Sequence, residues 1–66
     1  ESQSEYQEVL AHIASMEEPD RLVLMMKYVD GLPPKEIASI LCETANVISV
    51  RINRAEKRLK ERINHV

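Results

Sequence analysis

The 66-residue chain has no Trp and no Phe, and it holds a single Gly and a single Cys. One cysteine, Cys42, cannot close an internal disulfide or by itself organise a zinc site, so nothing argues for secretion and the expected compartment is cytoplasmic. The densest apolar run, "LVLMM" from Leu22 to Met26, lies between Arg21 and Lys27 and is far shorter than the roughly 20 residues that span a bilayer, so no membrane contact is expected. There is no Gly-rich phosphate loop and no Cys pair, and His12 and His65 fall on separate segments with no carboxylate at ligand spacing. Catalysis, a metal and a cofactor are therefore not expected. A chain this short buries only roughly 60% of its unfolded surface, which argues against a large active-site cleft and for a single domain over residues 1–66.

What is present is aliphatic residues set among Glu, Lys, Arg, Gln and Ala, which are good helix formers; the fold class is all-α. Charge is divided along the chain. Residues 1–44 carry three basic groups against nine acids, a net of −6, whereas residues 45–66 carry six against two, a net of +4. The overall −2 thus conceals a basic last third on an acidic body.

Periodicity and punctuation predict four helices, over about 4–15, 19–29, 34–41 and 45–63. The first has Tyr6, Val9, Leu10 and Ile13 on one face, with Ser4 as a candidate cap. The second opens at Pro19, presents Leu22, Met25, Met26 and Val29, and ends before Gly31, where a left-handed terminator belongs. Pro33 and Pro34 start a helix of barely two turns with Ile37, Ala38 and Leu41 as its apolar stripe. After the interruption "ETAN", Thr44 can cap a long fourth helix. Only three or four residues separate the last two helices, the spacing of a helix-turn-helix.

On a wheel of about 100° per residue, Ile48, Ile52, Ala55, Leu59 and Ile63 of the fourth helix form the core stripe, and Arg51, Arg58 and Arg62 flank one of its edges. Ser49, Val50, Asn53 and Arg54 lie on the far side, in the half of the helix that would enter a major groove about 12 Å wide. Asn pairs bidentately with adenine, Arg with guanine, and a Val can touch a thymine methyl. Lys57, Arg58 and Lys60 lie further along, where phosphates are the expected partners and binding depends on salt.

"GLPPKEIASIL" followed by "VISVRINRAEKRLKE" resembles region 4 of bacterial RNA polymerase sigma factors, most closely the extracytoplasmic-function type, over Met16 to Ile63. The resemblance implies recognition of double-stranded promoter DNA at the −35 element, contact with the β flap of RNA polymerase core and sequestration by an anti-sigma factor. The start at Glu1 without an initiator Met then reads as a piece of a longer sigma factor, and the isolated domain is expected to be a monomer. The resemblance assigns base reading to Ser49, Val50, Asn53 and Arg54 and phosphate contact to Lys35, Thr44, Asn46 and Val47 together with the basic tail. It also pairs Arg51 with Glu36, and the place of Arg51 beside the core stripe agrees with a clamp rather than a reader.

Five positions depart from the family pattern. Cys42 stands where Gly is common in the turn, at a cost of about 1 kcal/mol if its φ is positive. Glu43 replaces an apolar residue, and Val47, Ile48 and Ser49 replace Thr-Val-Lys, removing two phosphate contacts. Weak binding by the domain alone would be offset by the effective concentration that polymerase supplies. Two other readings use the same residues: a response-regulator helix-turn-helix, which usually dimerises through a further C-terminal helix, and a sigma-like interaction module that docks a partner through Met25, Met26 and Tyr28 with little DNA binding of its own.

Overall fold

A computed structural model describes residues 2–64, with side chains from residue 5 onward. It has four helices and, among the described residues, no strand: α1 Ser2–Ala14, α2 Asp20–Tyr28, α3 Pro34–Leu41 and α4 Ala45–Asn64. The expected bounds of α3 are met at both ends. Because α1 begins at Ser2, the backbone at Ser4 is already helical and Ser4 is not the cap; His65 lies outside the described residues.

Local chemistry explains where α3 stops and α4 starts. Pro33 is extended (φ −73°, ψ 160°), and Pro34 occupies the first helical position, where its missing N–H costs nothing. At the other end Cys42 is left-handed (φ 59°, ψ 43°). Its N–H reaches Ser39 O at 3.4 Å and the Glu43 N–H reaches Ala38 O at 2.9 Å, the pair of bonds of a Schellman terminator. Two residues later Thr44 Oγ1 accepts the Val47 N–H at 3.1 Å and caps α4 as expected. Gly31 is likewise left-handed (φ 69°), and beyond it the Leu32 N–H returns to Met26 O at 3.0 Å, so the only glycine turns the chain after α2.

The core is built on α4, which packs against all three other helices. Ile48, Ile52, Ala55 and Leu59 are buried, with Ile63 packed at the margin, as the wheel requires. From α3 come Ile37 and Ala38, and from α1 and its exit Ile13 and Met16.

The second helix departs from expectation. Val23, Leu24 and Met26 are its buried residues, whereas Leu22 and Val29 are 41% and 54% exposed and Met25 is half-buried. A helix of nine residues touching α1, α3 and α4 buries a wide arc, and within "LVLMM" every phase of the wheel finds apolar residues. Of the predicted stripe, Met26 is therefore buried and Met25 packs at the margin of the core, whereas Leu22 and Val29 are left as an exposed apolar pair. Tyr6 is also not core: it is 48% exposed, and its hydroxyl donates to the Tyr28 carbonyl at 3.0 Å, tying α1 to the end of α2.

Candidate nucleic-acid interface

The turn between α3 and α4 spans Cys42 to Thr44, and α4 is about 30 Å long at 1.5 Å per residue. Its first three turns expose Asn46, Val47, Val50, Asn53 and Arg54, and Lys57 follows in the fourth. Val47, Val50 and Arg54, spaced three and four residues apart, fall within about 60° of arc opposite the core stripe. Ser49 is placed differently from these. It is half-buried in a cleft of about 250 Å³ that it lines with Lys27, Pro34, Ile52 and Asn53.

The six cations of α4 divide into two sets. Arg51 pairs with Glu43 at 3.3 Å, Arg58 donates to Asp20 Oδ2 at 2.7 Å, and Arg62 donates to Ser15 Oγ at 2.7 Å. Arg54, Lys57 and Lys60 form no ion pair among the described residues, nor does Lys35 on α3. The three engaged arginines are those that the wheel sets along one edge of the core stripe.

Two expected assignments change. Arg51 does not pair with Glu36, which lies exposed in the first turn of α3; its partner is Glu43, carried toward the second turn of α4 by the left-handed turn at Cys42. Arg58, expected on a phosphate, is held by a carboxylate at the start of α2 that is only 13% exposed. That hydrogen bond to Asp20 raises the Arg58 pKa. The pairing of Arg58 was missed because it and Asp20 are 38 residues apart and no local pattern links them.

On the opposite edge of α4, Glu56 faces α2. Lys27 Nζ donates to Glu56 Oε2, the Tyr28 hydroxyl donates to the same oxygen at 2.8 Å, and the Lys27 ammonium lies 5.2 Å from the centre of the Tyr28 ring. Burial pushes Glu56 up, but the hydrogen bonds from Lys27 and Tyr28 outweigh it and leave the carboxyl below its ordinary range. The bond to Glu56 raises Lys27, and burial, followed by its own hydrogen bond to Glu56, raises Tyr28. A negative charge beside the reading half of α4 is thereby neutralised within the domain.

A short support helix, a terminator of three residues and a long helix with uncompensated cations on its outward side define a helix-turn-helix DNA-binding domain. Comparison with known families agrees: the family described as Sigma-70, region 4 matches residues 6–59, and the chain belongs to it. No curated protein and no solved structure matches the chain at a significant level. The family is one of DNA-binding transcription domains rather than enzymes, which in general recognise the −35 element and work with RNA polymerase. Among the described residues no group of His, Cys, Asp and Glu is arranged to hold a metal ion, and no helix is long and apolar enough to cross a membrane.

Proposed function

We propose that this domain reads the −35 element of promoters for a sigma factor of the extracytoplasmic-function type, with the first half of α4 in the major groove. The observation that carries the reading is the outward ridge of α4, where Arg54 stands without an ion-pair partner among the described residues beside exposed Asn53 and Val50. Arg54 is suited to guanine and Asn53 to adenine, while half-buried Ser49 reaches a base edge only from the rim of its cleft. Lys35, Lys57 and Lys60 supply phosphate contacts, joined by Asn46 and by the Thr44 hydroxyl, which keeps its proton to donate while accepting from Val47. Selection from random duplexes by this chain, alone at low salt and attached to RNA polymerase, tests the proposal. A motif enriched in either setting is expected, and none in both would overturn it.

A second reading is supported by the exposed apolar face of Leu22 and Val29 at α2 and its exit; of the surface expected to dock a partner, Met26 is buried, Met25 packs at the margin of the core and Tyr28 is bonded to Glu56. The exposed face suits a protein partner, RNA polymerase or an anti-sigma factor. Pull-down of purified polymerase core by the chain, and its loss on Leu22→Asp with Val29→Asp, tests that use of the face; retention in the double variant would sink it.

A further inference from the structure

We propose that Val47 and Val50 form an apolar reading pair that recognises thymine 5-methyl groups, so that the bound site carries thymines at one or two positions beside the base read by Arg54. This inference rests on the reading of α4 as the groove helix and specifies what that helix prefers. It also moves Val47 from the phosphate set to the base-reading set.

The argument starts at the backbone of Val47. A valine can touch a phosphate only through its N–H, and that N–H is already taken by Thr44 Oγ1 at 3.1 Å. What Val47 presents outward is its two methyl groups, 36% exposed, and Val50, one turn on, is 43% exposed. On a helix surface residues three apart have Cβ atoms about 5–6 Å apart, so the pair forms one continuous apolar patch that can meet methyl groups on the same or successive base pairs. Arg54 continues the line at the next turn, within the same arc. Among the recognition groups of the major groove the thymine methyl is the apolar one, and the others are donors and acceptors that need a hydrogen-bonding side chain. Glu43, the acid nearest this end of α4 in sequence, is paired with Arg51, so its charge is offset beside the groove.

The test replaces each thymine of the selected duplex, one at a time, with deoxyuridine, which removes the methyl and nothing else. For the unaltered chain, one or two positions are expected to weaken binding roughly three- to four-fold each, the equivalent of one buried methyl group. Val47→Ala and Val50→Ala should each bind the thymine duplex less tightly and each abolish the thymine preference at one position. Arg54→Ala, weaker overall, should keep the preference at both. Both valines are exposed and alanine favours helix, so loss of fold is not expected; circular dichroism of the variants verifies it. A preferred duplex with no methyl-sensitive position, or alanine variants that retain the sensitivity, would overturn the inference while leaving base reading by α4 intact. Absence of any preferred duplex would overturn both.

Discussion

Arg51 and Glu43 are joined at 3.3 Å across the turn of the helix-turn-helix, each with about a third of its side chain exposed (36% for both). The pair bridges the end of the Schellman terminator and the second turn of α4, so it orients the recognition helix relative to its support. Exposed pairs of this kind contribute about 0.2–1 kcal/mol. A double-mutant cycle by urea unfolding should give a coupling of about 0.5 kcal/mol between Arg51→Ala and Glu43→Ala and none between Arg51→Ala and Glu36→Ala. Coupling to Glu36 instead would restore the pairing that the family resemblance implied.

Cys42 occupies the left-handed region with a Cβ that the conformation disfavours. A non-glycine residue there costs about 1–2 kcal/mol, and part of the gain on replacement is returned through the greater freedom of glycine in the unfolded chain. Cys42→Gly should therefore raise stability by about 0.5–1 kcal/mol, and Cys42→Val should lower it because branching at Cβ worsens the clash. An unchanged urea midpoint in both variants would show that the turn does not carry this strain.

The amount of this architecture legible from sequence varies by element, for physical reasons. On α4 the apolar residues recur at three and four with polar residues between them, so only one phase satisfies the pattern and Ile48, Ile52, Ala55 and Leu59 are buried as expected. The start of α3 was equally legible, since two prolines permit little else. The phase of α2 was not, because five successive apolar residues remove the contrast on which a wheel depends. The partners of Arg51 and Arg58 depend on how the α3 turn and the α1–α2 connection are laid against α4, which is tertiary information. Their position at the edge of the core stripe was visible, but only Arg51 was given a structural role from it, and Arg58 was grouped with Lys57 and Lys60 as a phosphate contact.

The cluster of Lys27, Tyr28 and Glu56 makes stability depend on pH at both extremes. Glu56 is held below its ordinary 4.5 in the fold, so its contribution is present above that value and is lost as pH falls through the lower folded pKa. Lys27 and Tyr28 are held above 10.5 and 10.0, so theirs is present below those values and is lost as pH rises through the folded ones. With Lys27 37% and Glu56 31% exposed, solvent screening limits the ion pair to about 1 kcal/mol or less. Glu56→Gln should destabilise the domain near neutral pH, and the difference from the unaltered chain should shrink toward pH 3. An equal difference at both pH values would place its origin outside the carboxylate charge.

Lys57 and Arg58 are sequence neighbours with different tasks. Lys57 points outward without an ion pair among the described residues, whereas Arg58 covers the carboxylate of Asp20. In binding to a selected duplex, Lys57→Ala should reduce the slope of log affinity against log salt by about 0.9, the release of one counterion. Arg58→Ala should leave that slope unchanged and lower the urea midpoint, because Asp20 loses its partner against α4. A slope reduced equally by both substitutions would return Arg58 to the phosphate set.

Arg54 and Lys60 separate specificity from attraction on the same helix. Arg54 lies in line with the outward valines, four residues past Val50, and under the proposed docking its fork of donors would meet a base edge. Lys60 stands six residues beyond Arg54, about 9 Å further along the axis at 1.5 Å per residue, and under the proposed docking it would meet the phosphate backbone rather than a base. Arg54→Ala should cost about 1–3 kcal/mol on the preferred duplex and much less on a scrambled one, and Asn53→Ala should show the same asymmetry. Lys60→Ala should weaken both duplexes alike, because a phosphate carries no sequence. Titrations of the three variants against both duplexes at one salt concentration decide the matter: parallel losses for all three would mean that α4 contributes only charge, and that the domain gains its promoter preference elsewhere in the transcription complex.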